Sequence, residues 1–167
     1  MKWLDPRYTA HPMSYIFQCF LAMVFIFIML YNLDFLEHTA IISSFGATSF
    51  IVFTMPRRYH SDARRLIGGY ITGIVTGVIF HQFAYCTPVM NYIQQPHMCH
   101  AIFGSIAVFF AILIMVVFDM EHPPAAGISL GLVMNPFDLK TILFVLASII
   151  FVTIFKHVLK PILIDLV

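Results

Sequence analysis

Long apolar runs separated by short polar clusters organise this sequence. Six segments stand out: residues 13–33, 39–55, 66–85, 98–118, 123–134 and 139–159. The runs are continuous, whereas strands of a transmembrane barrel would alternate over segments of about ten residues. The pattern predicts membrane helices. At a rise of about 1.5 Å per residue, the third, fourth and sixth segments can each cross a hydrocarbon core of about 30 Å. The second, stopped by Pro56, is marginal. The fifth, of about 12 residues, covers only about 18 Å, so it is a half-helix, a re-entrant helix, or a crossing where bilayer or protein is thin.

Composition agrees with the pattern. The chain is 60% hydrophobic and 10% charged, against about 25% charged residues in a soluble domain. Eighteen Phe and ten Met have no soluble surface to sit behind. The expected class is all-α, polytopic and embedded in the lipid bilayer. A net charge of +1 gives a nucleic-acid partner no support. Tails and loops are short, so no soluble domain is expected. The first apolar run is longer than the h-region of a secretory signal, and no small-residue cleavage site follows it. An Arg/Ser-rich transit segment is also missing, which points to a bacterial inner membrane.

Charge placement orients the segments. Arg57, Arg58, Arg64 and Arg65 share one loop, which the positive-inside rule puts in the cytoplasm. If all six segments cross, both termini are cytoplasmic, with Lys2, Arg7, Lys156 and Lys160, and the Lys/Arg-free loop 87–97 is outside. Only Lys140 then falls on the wrong side. Re-entrant second and fifth segments would place both basic termini outside.

A repeat supports six crossings. Glu37-His38 recurs as Glu121-His122, and Ser44-Phe45-Gly46 as Ser129-Leu130-Gly131, at nearly the same separation. Each set follows a long run and precedes a short one closed by Pro56 or Pro136. A single transmembrane domain, residues 1–167, would hold repeat one at about 13–86 and repeat two at about 97–160. Three crossings per unit make the repeats inverted, each with one short or half-spanning helix. Many secondary transporters are built this way, with substrate near the midplane.

Glu121-His122-Pro123-Pro124 carries the chemistry. An ionisable residue at a helix centre costs about 2.5–3.5 kcal/mol on insertion scales, and is tolerated where protein or a water-filled cavity covers it. Pro123 and Pro124 suit a first helical turn, and Ala125, Ala126 and Gly127 allow close approach. A helix N-terminus presents free N–H groups and a positive dipole end, a natural anion seat. Ser43, Ser44, Gly46, Ala47 and Thr48 form the matching set in the second segment, with hydroxyls for a small solute. Close packing alone also explains such small residues. His122 changes charge near neutral pH, and with Glu121 it is a candidate for gating or proton coupling. Glu37 and His38 sit nearer an aqueous face. Arg65 is the candidate for an anion at the cytoplasmic mouth. Gly69, Gly73 and Gly77 form a small-xxx-small face for close helix contact, within one protomer or across a homo-oligomer. Cys19 reads as a buried small hydrophobe, and Cys86 and Cys99 could pair across an external loop. His97-Met98-Cys99-His100 holds soft ligands without metal spacing. No metal or cofactor is expected.

Three elements together resemble the HPP family of small integral membrane proteins: Ser44-Phe45-Gly46-Ala47-Thr48 with the run to Pro56, Arg64-Arg65-Leu66-Ile67-Gly68-Gly69, and His122-Pro123-Pro124-Ala125-Ala126-Gly127. The resemblance covers roughly residues 10–160. Where the family often has Gln-Pro-Arg before its glycine pair, Ala63-Arg64-Arg65 stands here. Where it has Ala-Gly-Ala after the prolines, Ala125-Ala126-Gly127 stands. The resemblance implies transport of a small anion, since plant members are associated with nitrite. The expected function is a transporter or channel for such an anion, at a midplane site between two repeats, with His122 as a proton-sensitive gate and no enzyme activity. The rival readings are an accessory or scaffold protein, and a membrane enzyme using His122 and Glu121 as acid and base.

Overall fold

The computed structural model describes residues 6–33 and 38–167, so Lys2, Asp34 and Glu37 lie outside it. The elements are α1 (Pro6–Ala10), α2 (Pro12–Asn32), α3 (Thr39–Thr54), a 3-10 turn at Tyr59–Ser61, α4 (Ala63–Ala84), α5 (Thr87–Ile93), α6 (Pro96–Val117), α7 (Pro123–Met134) and α8 (Leu139–Leu159). Among the described residues there is no strand. α2, α4, α6 and α8 are long and apolar enough to cross a membrane, and α3 and α7 are shorter apolar helices.

The helix limits have local causes. α2, α6 and α7 each carry proline in the first turn, where no amide donor is needed. Asp138 caps α8 by accepting the Thr141 N–H at 2.8 Å and its hydroxyl at 2.8 Å. α3 stops just before Pro56, whose ring disfavours helical backbone in the preceding residue. Gln94, in the left-handed region at φ 56°, turns the chain between α5 and α6. Two expected boundaries shift. α4 takes in Ala63, Arg64 and Arg65, because Asp62 rather than Leu66 begins the helical bonding, accepting the Leu66 N–H at 2.9 Å. The loop 87–97 holds α5.

The start of α2, the end of α3, the start of α4 and the C-terminal tail meet at one end of the bundle. Buried Gln18 donates to the carbonyls of Phe53 and Ile164 and accepts the Ile164 N–H at 3.2 Å. Tyr15 donates to the Leu166 carbonyl at 2.6 Å, and the Leu166 N–H to that of Thr54 at 2.8 Å. Arg57, Arg58, Arg64, Arg65, Lys156 and Lys160 gather at this end, and Lys140 is at the other.

α7 occupies the centre, packed against α3, α4 and α6. Gly127 meets Ser44 and Gly131 meets Ile41 and Ala40, so α3 and α7 run antiparallel. Gly69 faces His122 and Ala125, Gly73 faces Ala125 and Ile128, and Gly77 faces Ser129 and Leu132, so α4 and α7 run parallel. The Gly69/Gly73/Gly77 face is thus filled by α7 of the same chain, the contact within one protomer rather than the one across a homo-oligomer. Without Cβ atoms the two backbones approach closely, which is how small residues hold membrane helices together. Outward surfaces stay apolar: Phe20, Phe27, Phe109, Val116, Phe151 and Val158 are all exposed, as lipid-facing side chains are.

Cys19 is exposed on α2 rather than buried, because the inward face of that helix is taken by Gln18, Phe25 and Met29. Cys86 and Cys99 are free thiols, Cys99 being buried.

Candidate functional site

The two short helices meet at a buried polar relay. Thr48 lies on the inner face of α3, one turn from Ser44, and His122 is the residue from which α7 springs. The Thr48 Oγ1 is 2.9 Å from His122 Nε2 and 2.8 Å from the Tyr70 hydroxyl on α4. None of the three side chains is exposed. His122 Nδ1 lies 3.3 Å from the His60 carbonyl. A carbonyl only accepts, so Nδ1 carries a proton, and in the neutral ring Nε2 is the acceptor. Thr48 must then donate to His122 and accept from Tyr70. With a neutral imidazole each of the three donors has one acceptor, and no carboxylate among the described residues lies at the ring nitrogens.

A charged cluster closes the relay on the basic side. Arg65, 6% exposed, meets Asp119 at 2.5 Å, Glu121 at 3.6 Å and Asp62 at 3.6 Å. Its guanidinium lies over the Tyr59 ring, 3.1 Å from the centroid. The Tyr59 hydroxyl reaches the Asp119 carboxylate at 2.7 Å and that of Glu121 at 3.1 Å. Asp119 has a positive φ of 55°, a conformation aspartate tolerates better than most residues; it turns the chain after α6 toward Arg65. Hydrogen bonding from Tyr59, then from Arg65, holds the Asp119 carboxyl below its ordinary value of 3.8. The hydrogen bond to Asp119 pushes the Tyr59 hydroxyl up against the opposing pull of Arg65, so it stays protonated.

The expected residues divide on this geometry. Ser44, Thr48, His122, Pro124, Ala125 and Gly127 come together along α3 and α7. Ser43 and Ala47 are exposed on the far side of α3, and Gly46 has open space where a Cβ would be; none of the three faces α7. Ser44 turns its hydroxyl back to the Ala40 carbonyl at 2.8 Å. The start of α7 offers few N–H donors: Pro123 and Pro124 have none, and that of Ala125 is bonded to the His122 carbonyl at 2.9 Å. Side chains, not helix amides, make this site polar. Glu121 and His122 do not pair, since Glu121 joins Arg65 and Tyr59. Arg65, expected at an open mouth, already has its charge matched by carboxylates. His38 is buried at the opposite end of α3. Tyr70, Tyr59 and Asp119 escaped the sequence reading. The position of Tyr70 beside the glycine stripe was the one available signal.

Space lies beside the relay. A chiefly apolar cavity of about 240 Å³ is lined by Ile112, Met115, Val116, Glu121, His122, Pro123 and Ala126. Among the described residues, no group of three or more His, Cys, Asp or Glu side chains is placed to hold a metal ion.

No curated protein and no solved structure matches the chain. The family model described as HPP, transmembrane region, matches residues 7–163. That stretch takes in the His122-Pro123-Pro124 break, the glycine face of α4 and the Thr48 turn that meet at the relay, and the chain belongs to the HPP family of integral membrane proteins.

Proposed function

We propose that this protein carries a small monovalent anion, nitrite being the first candidate, across a bacterial inner membrane, with both termini cytoplasmic. Its substrate passes the contact between α3 and α7, the short helices of two inverted three-helix repeats. The observation behind this reading is the Tyr70–Thr48–His122 relay, buried where two helices too short for the hydrocarbon core cross antiparallel. Hydroxyls of Tyr70 and Thr48 can rotate to donate to an anion without moving backbone. Protonation of His122 would add a second N–H donor and a positive charge, and it would force Thr48 to stop donating to Nε2. Anion arrival and proton uptake are thereby linked at one residue. The Arg65–Asp119–Glu121–Tyr59 cluster acts as the inner gate.

Flux into proteoliposomes tests this. Wild-type protein should pass nitrite or a similar anion, and His122→Ala and Thr48→Val should abolish the flux while each variant still unfolds in one cooperative transition, at a lower temperature than wild type. Unchanged flux in His122→Ala, or none in the wild type across candidate anions, overturns it. Co-purification with a stoichiometric partner, together with no flux alone, is what an accessory protein would give instead.

A further inference from the structure

A second cleft, lined by both charged and apolar side chains, opens where α4 begins and α8 ends. Its volume is about 590 Å³, and Asp62, Arg64, Arg65, Lys156, His157 and Lys160 supply its polar lining. Asp62 is the one acid in that lining, and it is already 3.6 Å from Arg65. Arg65 in turn is matched by Asp119 and Glu121. The other cations have no carboxylate among the described residues within ion-pair distance. Arg64 donates to the Phe118 carbonyl at 2.9 Å. Lys156 is 7% exposed, and its ammonium donates to the Ser61 carbonyl and reaches the Ser61 hydroxyl at 3.2 Å. No carboxylate among the described residues pairs with it or with Lys160. Lys156 and Lys160 are one helical turn apart, a spacing at which like charges destabilise a helix. Asp62 and Asp165 act on Lys156 only at longer range, so Lys156, Lys160 and Arg64 converge on this cleft with no carboxylate of the described residues in direct contact with any of them.

Its walls indicate what completes it. Ile154 and Val158 belong to the same lining and are exposed, continuing the lipid-facing surface of α8 up to the cations. Basic pockets between helices at this depth suit anionic head groups. We infer that the α4–α8 cleft binds the phosphate of an anionic phospholipid, with Lys156, Lys160 and Arg64 around the phosphate and Ile154 and Val158 against the first acyl carbons. The positive-inside pattern accounts for basic residues at this end; it does not account for a buried lysine with no carboxylate of the described residues in direct contact.

Native mass spectrometry of the detergent-released protein provides the test. Phosphatidylglycerol should give a one-to-one adduct that phosphatidylcholine does not, and inorganic phosphate should compete weakly. Lys160→Gln and Arg64→Gln, both at the rim, should each weaken the phosphatidylglycerol adduct by about fivefold. Lys156→Met should remove it, and retained thermal unfolding would show that this is not loss of fold. Equal adducts with both lipids, or rim variants that bind as well as wild type, overturn the inference. Full displacement by inorganic phosphate overturns the lipid assignment. None of these readouts depends on anion flux.

Discussion

Replacing Gly77 by alanine probes the α4–α7 contact most directly. A Cβ built on Gly77 lies 2.9 Å from Leu132 Cβ, 3.0 Å from Ser129 Cα and 3.0 Å from the Ser129 carbonyl oxygen. Carbon atoms prefer about 3.5–4.0 Å, so the helices must separate by roughly half an ångström or more. Two of the three atoms are backbone of α7, which cannot rotate away. Overpacking of this kind costs about 1–3 kcal/mol. Against it stands the helix preference of alanine over glycine, about 1 kcal/mol. Gly46→Ala isolates that second effect, since nothing lies within 4 Å of its Cβ position, and it should stabilise. Gly68→Ala falls between, because the obstructing atoms belong to the flexible Met120 side chain. The expected gap between Gly77→Ala and Gly46→Ala is about 1–3 kcal/mol. At about 2–4 °C per kcal/mol for a chain of this size, thermal unfolding in one detergent should separate the two by about 5 °C. Gly77→Ala unfolding at or above Gly46→Ala would refute the close contact.

Two further outcomes concern the relay and its gate. Thr48→Val leaves both the Tyr70 hydroxyl and His122 Nε2 buried and unpaired, at about 1–3 kcal/mol each, whereas Tyr70→Phe removes one donor and leaves the Thr48–His122 bond, at about 0.5–1.5 kcal/mol; a denaturation series ranking Tyr70→Phe as the more damaging would contradict the arrangement. The Asp119 carboxyl is held below 3.8 in the folded chain, so its contribution to the gate is complete above that value and is lost as pH falls through the lower folded one. Hydrogen exchange at residues 118–122 should therefore stay flat from pH 5 to 8 after correction for intrinsic rates and rise only below about pH 4. Asp119→Asn, which keeps tolerance of the left-handed backbone, should raise exchange from pH 5 to 8 and converge with wild type at low pH. Opening of the gate between pH 6 and 8 in the wild type would show that another group controls it.

The helices were legible because each is an apolar run with a polar or proline boundary. Residues 123–134 and 139–159 read in sequence with the limits found for α7 and α8, helped by Pro123 and Pro136. α4 begins earlier than its apolar run because Arg64 and Arg65 form the first helical turn; hydropathy hides a helix whose end lies at the interface. α5 was hidden by Asn91, Gln94 and Gln95 around it. Within the site, sequence pointed to Thr48 and His122 but not to which small residues of α3 face inward. Ser43, Ser44, Ala47 and Thr48 are too alike for an apolar stripe to set the helical phase, so Ser43 and Ala47 were grouped with residues on the opposite side. Tyr70 and Asp119 were missed for another reason. Each matters only through a partner far along the chain, Thr48 and Arg65 respectively, and one sequence carries no sign of such pairs.

The twelve residues of α7 bear on how the chain is made. Alone in a bilayer, so short a helix would leave its terminal carbonyls and amides in hydrocarbon without partners. α2, α4, α6 and α8 can each enter the membrane first and find neighbours afterwards. α7 cannot: its entry requires the glycine face of α4 and the inner face of α3 to be waiting. For this segment insertion and tertiary assembly are a single event, so a substitution that spoils the glycine face should leave α7 outside the bilayer core, exposed to cellular quality control, while the four long helices still insert.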